Sequence, residues 1–89
     1  MKRPDDPSGV IRIVAANVRS MRKVANLSQE ELAHEAGVDR TYVSQVERRL
    51  RNVTISVLAQ LAKALKTTPD KLLVSSTSQP AKREPKGRS

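Results

Sequence analysis

Several residue types that build common functional sites are absent or rare in this sequence. It contains no cysteine, tryptophan or phenylalanine, and it has one histidine, one tyrosine and three glycines. The lack of cysteine excludes disulfides, thiolate zinc sites and thiol nucleophiles, and His34 has no second imidazole with which to share a metal ion. One aromatic side chain does not make a stacking platform for single-stranded nucleic acid. We therefore expect no metal ion and no cofactor.

Long apolar segments are also missing. No apolar run approaches the roughly 18 residues that a membrane span needs, and residues 1–9 do not have the apolar core of a signal peptide. These absences predict a cytoplasmic protein with no membrane partner. The 89 residues suffice for one small domain, but not for the walls of an enzyme pocket, which typically encloses about 300–1,000 Å³. Because no nucleophile–base pair is visible either, we expect that the chain is not an enzyme.

The net charge is strongly positive. Seventeen Lys and Arg residues oppose nine Asp and Glu residues, which gives a formal net charge of +8. Such an excess suggests a polyanionic partner, such as a nucleic acid or a membrane surface. The alternative interpretation is that these cations only keep a small domain soluble. The positions of individual charges must decide between the two.

The composition divides the chain into three segments. Residues 75–89 contain no apolar residue larger than Ala81, so they cannot bury enough surface to offset the entropy lost on ordering. Residues 1–9 contain two prolines and little that could pack. We therefore predict a flexible N-terminus over 1–9, a folded domain over 10–74 and a disordered basic tail over 75–89.

The apolar residues of the central segment recur with a helical period, and no alternating strand pattern is present. Together with the residues that begin and end helices, this period predicts five helices. They are Val10 to about Ala25, Ser28 to Ala36 with a Ser28/Glu31 capping box and Gly37 after it, Arg40 to about Leu50 with Asp39 as cap, a fourth that begins at Thr54, and Pro69 to Leu73 after Thr68. The fold class is therefore predicted to be all-α.

The second and third helices are joined by a very short turn. Only Gly37, Val38 and Asp39 separate them, which fits the helix-turn-helix pattern in which the second helix enters the major groove of DNA. Ala33 is small where the two helices would cross. The alternative is an ordinary helical hairpin that happens to contain a glycine turn, but these residues at these spacings favour the helix-turn-helix.

The outer face of the third helix presents polar side chains and no carboxylate. Turning about 100° per residue places five of them together, opposite the apolar side of the helix: Arg40, Thr41, Ser44, Gln45 and Arg48. Arginine can contact guanine and glutamine can contact adenine in the major groove. We therefore predict that this face contacts DNA, although every amphipathic helix has a solvated polar face.

Arg22 lies within the apolar stripe of the first helix. A buried guanidinium without a partner is strongly destabilising, and Glu47 lies at the edge of the core side of the third helix. We predict an ion pair between Arg22 and Glu47 that holds the first helix to the third. The alternative is that the Arg22 side chain extends to the surface.

At residues 17–73 the chain resembles the lambda-repressor-like, or XRE-type, helix-turn-helix family. The resemblance is carried by LSQEELAHEAGVDRTYVSQVERRL and TISVLAQLAKALKTTPDKLL. It implies a five-helix domain that binds operator DNA as a homodimer and contains an Arg–Glu pair of the kind predicted above. It also implies that Gln29 contacts a phosphate and that Arg40, Thr41, Ser44 and Gln45 read bases.

A narrower similarity links the stretch DRTYVSQVERRLRNVT to the controller proteins of restriction–modification systems. That resemblance implies that Arg51 reads DNA beside the third helix and that Tyr42, Asn52 and Thr54 lie against the DNA backbone. One position departs from the pattern, because many members have glycine where this chain has Arg49. Since arginine disfavours a left-handed cap, we expect the third helix to extend further or the following loop to differ.

The end of the fifth helix carries more apolar residues than one stripe needs. They are Leu72, Leu73 and Val74. We take them as candidates for a two-fold dimer surface, the alternative being that all three close the core.

The sequence thus predicts a sequence-specific regulator of transcription that binds double-stranded DNA as a homodimer on a pseudo-palindromic operator. The resemblance places it in a bacterium or phage, associated with the nucleoid. Two other functions stay open, namely an antitoxin with a toxin partner and a coactivator-type module that bridges proteins. No small-molecule ligand is expected.

Overall fold

The computed structural model describes residues 2–75, and these form five α-helices with no strand among them. The helices are α1 Val10–Val24, α2 Gln29–Ala36, α3 Arg40–Glu47, α4 Ile55–Ala64 and α5 Pro69–Leu72. The predicted all-α class and the number and order of helices are confirmed. The predicted disorder of the tail concerns residues that lie, apart from Ser75, outside the described part of the chain.

One apolar core joins all five helices. Its most completely buried side chains come from every element of the fold: Val18, Leu32, Val43, Val46, Leu61 and Leu72. α3 packs on α1 and α2, and α5 closes the core against α1 and α4. Because Leu72 is 0% exposed, it is a core residue, and its assignment to a dimer surface is wrong. Leu73 and Val74 are 44% and 60% exposed and remain available.

Asn17 is the one buried polar residue among residues 2–75, and it fixes the end of α5. Its Nδ2 donates to the carbonyl oxygens of Leu72 and Val74, both at 2.8 Å. The last carbonyls of a helix have no intrahelical partner, so this amide from α1 replaces the missing N–H donors. The contact therefore determines where Leu73 and Val74 leave the core.

The starts of the helices are stabilised in different ways. The predicted capping box of α2 is present, since Ser28 Oγ accepts from the Glu31 N–H at 3.0 Å and Glu31 Oε1 accepts from the Ser28 N–H at 2.8 Å. Thr54 Oγ1 caps α4 by accepting from the Val57 N–H at 3.2 Å. Asp39 occupies the cap position of α3, but its side chain makes no capping hydrogen bond, so that part of the prediction is wrong.

The N-terminal segment contributes the cap of α1. The Asp6 carboxylate accepts from the backbone N–H groups of Ile11 and Arg12 at 2.9 and 3.0 Å. These bonds, first the one from Ile11, hold the pKa of Asp6 below its ordinary value, because they stabilise the charged form. The pattern of the sequence did not reveal this contact. The predicted boundary between a flexible N-terminus over 1–9 and a folded domain over 10–74 stays a prediction.

The end of α3 differs from the expectation. The helix ends at Glu47 rather than near Leu50, and Arg49 adopts a left-handed conformation with φ of 63°. The N–H of Leu50 then bonds the Gln45 carbonyl at 2.8 Å, and the N–H of Arg49 bonds that of Val46 at 3.1 Å. These closing bonds satisfy the free carbonyls at the helix end. The left-handed residue that makes such bonds possible is usually glycine.

The left-handed conformation of Arg49 leads to a prediction about stability. A side chain in this conformation destabilises the folded state by roughly 1–2 kcal/mol. Glycine avoids that strain, but its greater freedom in the unfolded chain offsets about 0.4–1 kcal/mol of the gain. Arg49→Gly is therefore expected to raise the free energy of unfolding by up to about 1 kcal/mol, measured by urea denaturation. Lys66, with φ of 60°, is a matched site, and Lys66→Gly is expected to act in the same direction. A loss of stability in both variants would contradict the prediction.

Candidate nucleic-acid interface

The turn between α2 and α3 is held from two sides. Gly37 has φ of 72°, which lets the Val38 N–H reach the Ala33 carbonyl at 3.0 Å. From α4, Gln60 Nε2 donates to the carbonyl of Ala36 at 3.1 Å. This second contact was not foreseen from the sequence, because nothing in the spacing of α4 marks Gln60. The result is a tight, hydrogen-bonded turn that sets the angle of α3.

The outer face of α3 is polar and accessible, as predicted. Its first residues, Arg40 and Thr41, are exposed, and Arg48 at the other end is exposed as well. Ser44 and Gln45 between them are half-buried. The opposite side of the helix is seated in the core through Val43 and Val46. The face therefore offers hydrogen-bond donors of the kind that contact base edges and phosphates.

Beside this face, three of the predicted site residues form one cluster. Arg51 Nε donates to Gln45 Oε1 at 2.8 Å, and the Arg51 guanidinium carbon lies 4.5 Å from the centre of the Tyr42 ring. Such a stacked, hydrogen-bonded arginine is attracted to the ring face and loses less freedom on binding. Gln45 Oε1 accepts from Arg51, and its amide NH₂ makes no hydrogen bond within residues 2–75. These two contacts hold the Arg51 side chain beside the outer face of α3.

The predicted pair of Arg22 and Glu47 is present and extends into a network. Arg22 Nε donates to Glu47 Oε2 at 2.7 Å and its Nη2 donates to Glu47 Oε1 at 3.1 Å. The third donor, Nη1, reaches the Leu27 carbonyl at 2.8 Å. The side chains of the pair are 12% and 2% exposed, and the hydrogen bonds to Glu47 raise the pKa of Arg22. Arg22 therefore lies in the structure as a partnered group and not as a surface cation.

Gln29 joins this network from the start of α2. Its Nε2 donates to Glu47 Oε1 at 3.1 Å. The carboxylate of Glu47 thus receives hydrogen bonds from α1 and from α2, and α3 is fixed to both. The contact of Gln29 with a DNA phosphate stays a prediction, as do those of exposed Asn52 and of Thr54, whose hydroxyl caps α4.

The match to a known family covers most of the folded chain. Residues 18–72 match the family described as Helix-turn-helix. The chain belongs to the helix-turn-helix family. The matched span includes the α2–α3 pair and the whole of α4 and α5, so the resemblance stated from the sequence and its five-helix architecture are confirmed.

Individual relatives within the helix-turn-helix family include controller proteins. Control protein C.SmaI of Serratia marcescens is 59% identical over 61 residues, which are 68% of this chain and 73% of that protein. The crystal structure of the restriction-modification controller protein C.AhdI from Aeromonas hydrophila is 40% identical, covers 70% of this chain and 94% of its own, and has a TM-score of 0.68. The narrower resemblance is thereby confirmed.

A third relative was crystallised with nucleic acid. SinR, described as the master regulator for biofilm formation and solved in complex with DNA, is 32% identical. The match covers 68% of this chain and 98% of the SinR chain, with a TM-score of 0.66. The shared fold is therefore one that is known with DNA bound.

Residues 2–75 contain neither a membrane-spanning helix nor a cluster of metal-ligating side chains. None of the five helices has the length and apolar character required to cross a bilayer. No three His, Asp or Glu side chains in this part of the chain lie close enough together to hold a metal ion.

The Glu47 network leads to a prediction about stability. Glu47→Ala leaves the largely buried Arg22 guanidinium without its carboxylate, and removal of one partner from such a pair costs about 3 kcal/mol. We expect a marked fall of the urea unfolding midpoint. Glu35→Ala, which removes an exposed carboxylate from α2, serves as the control and should change the midpoint little. An unchanged midpoint for Glu47→Ala would contradict the role of the pair.

Proposed function

We propose that this helix-turn-helix protein is a sequence-specific regulator of transcription of the controller type, which binds double-stranded DNA in the cytoplasm of a bacterium as a homodimer. The observation that carries the proposal is the outer face of α3, which exposes arginine and hydroxyl side chains without a carboxylate. The similarity to controller proteins and to a regulator crystallised with DNA supports it.

The position of each side chain suggests its role. Arg40 and Thr41, at the start of α3, are exposed and lie where a recognition helix reaches base edges. Ser44, Gln45 and Arg51 read bases further along the groove, Arg51 from its position over Tyr42. The phosphate contacts, which set the register of the protein on the duplex, come from Gln29, Tyr42, Arg48, Asn52 and Thr54.

The dimer surface is proposed at the end of α5. Leu73 and Val74 are exposed there, and Leu73 lines a small apolar cavity of about 70 Å³ together with Val10 and residues of α1 and α4. Arg51 and Asn52 line the same cavity. A second copy docked on this surface would therefore place the two Arg51 loops beside the two-fold axis, with each α3 in its own half-site. The half-sites would lie about 34–36 Å apart.

Base reading by Arg40 is tested by substitution. Arg40→Ala is expected to cost about 1–3 kcal/mol of binding free energy and to relax the preference at one base pair of each half-site. The measurement is selection from random duplex DNA with the unmodified protein, followed by titration of the selected operator and its single-base variants. Lys63→Ala, an exposed cation on α4, is the control and should retain affinity and preference. An equal loss on every duplex would make Arg40 a phosphate contact instead.

The proposed dimer surface is tested by sedimentation equilibrium. Combined replacement of Leu73 and Val74 by Ser removes the exposed apolar surface and is expected to convert a dimer into a folded monomer. Because each monomer then holds one half-site, operator affinity should fall steeply. Val24→Ser, at a residue that is 86% exposed on α1, is the control and should stay dimeric. A wild-type chain that sediments as a monomer at micromolar concentration would contradict the proposal.

A further inference from the structure

Gln45 is joined to the loop after α3 at two points, one on its backbone and one on its side chain. Its carbonyl oxygen accepts from the Leu50 N–H at 2.8 Å, and its Oε1 accepts from Arg51 Nε at 2.8 Å. The first bond belongs to the closure of the helix end. The second holds a side chain that comes from the loop between α3 and α4. One residue of α3 therefore fixes both the start of this loop and the arginine that the loop presents.

Tyr42 provides the other contact that holds Arg51. It lies about one turn before Gln45 on α3, and the centre of its ring is 4.5 Å from the Arg51 guanidinium carbon. An exposed arginine on a loop would otherwise adopt many rotamers and would lose that freedom on binding. Because the ring and the amide both belong to α3, they orient the guanidinium relative to the same helix that carries Arg40 and Thr41.

The hydrogen bond to Gln45 divides the donors of Arg51 into two groups. A guanidinium has five N–H donors, and here the one on Nε is used within the protein. The four N–H donors of the two terminal amino groups make no hydrogen bond within residues 2–75. One donor from each amino group forms a planar fork, which can contact the O6 and N7 atoms of guanine together.

The same hydrogen bond restricts what Gln45 can do. To read adenine with two bonds, a glutamine must accept from N6 through its oxygen and donate to N7 through its nitrogen at the same time. Donors to an amide oxygen prefer to lie near the plane of the amide, and Arg51 Nε already holds such a donor at Gln45 Oε1. Adenine would therefore have to share or replace the bond to Arg51.

We infer that Gln45 is a positioning residue, which determines base preference by orienting the Arg51 guanidinium. Its oxygen takes the Nε donor and leaves the fork of terminal amino groups for the operator. The base pair that depends on Gln45 is then the one that Arg51 reads. The inference rests on the proposed function and refines it, because Gln45 contributes to base reading through Arg51 and has no base pair of its own.

The test first locates the base pair that Arg51 reads. Operators are selected from random duplex DNA with the full chain and with Arg51→Ala, and the position at which Arg51→Ala loses preference defines that base pair. The same selection and titration are then made with three variants of Gln45. Gln45→Ala and Gln45→Met remove the oxygen acceptor, the second with little change in side-chain length. Gln45→Glu keeps an oxygen acceptor and removes the amide NH₂.

Gln45→Ala and Gln45→Met are expected to reduce the preference at the Arg51 base pair severalfold and to leave the other positions unchanged. Gln45→Glu should keep the preference there, although repulsion between its charge and the phosphates should weaken binding to all duplexes evenly. In a chain that already carries Arg51→Ala, Gln45→Ala should have no further effect, since the two residues act as one unit. Lys63→Ala is the control and should behave as wild type.

Loss of folded protein cannot produce this result. A preference is the ratio of two affinities measured with the same protein preparation, so a smaller folded fraction affects both affinities alike. The combination of the Gln45→Ala and Gln45→Glu variants therefore separates orientation of Arg51 from a general effect on the fold of α3.

Several outcomes would overturn the inference about Gln45. Gln45→Ala could change the preference at a different base pair, add to the effect of Arg51→Ala, or change no preference at all. Gln45→Glu could lose the preference as Gln45→Ala does, or Arg51→Ala could leave every position unchanged. If the wild-type chain selects no sequence, the proposed function itself fails. That failure is distinguishable, because it is seen before any variant is tested.

Discussion

The position of α3 depends on one carboxylate. Glu47 is a residue of α3, yet its oxygens accept hydrogen bonds from Arg22 of α1 and Gln29 of α2. Apolar packing through Val43 and Val46 seats the helix, but such packing tolerates rotation and sliding, whereas a two-pronged arginine–carboxylate bond specifies one geometry. The polar face can expose its side chains in a fixed array because its inner face is held in this directional way.

Much of this arrangement can be predicted from the sequence where a residue type has a single physical use. Arg22 in an apolar stripe requires a partner. The capping box of Ser28 and Glu31 could be predicted because it joins residues only three apart and depends on local helix geometry alone. The contacts of Asn17 and Gln60 could not be predicted, because an amide side chain, unlike a guanidinium in an apolar stripe, does not by itself indicate that it has a partner within the fold. Leu72 was misplaced because its burial depends on how α5 lies across α1 and α4.

The ends of the helices show a second limit of sequence reasoning. With three glycines in the chain, left-handed closures fall on other residues: Asn26, Arg49 and Lys66 all have positive φ. After each of them the next N–H bonds a carbonyl of the preceding helix, just as Val38 does after Gly37. A rule that looks for glycine after a helix therefore predicted the closure at Gly37 and missed the other three.

The amide of Asn17 has a consequence for how operators of different length could be recognised. It ties the end of α5 to α1, and Arg22 ties α1 to α3, so hydrogen bonds connect the proposed dimer surface with the outer face of α3. If two copies dock through Leu73 and Val74, the fold of each subunit then sets the distance between their α3 helices. A related protein that reads half-sites at another spacing would need a differently built α5, because loop flexibility could not absorb the change.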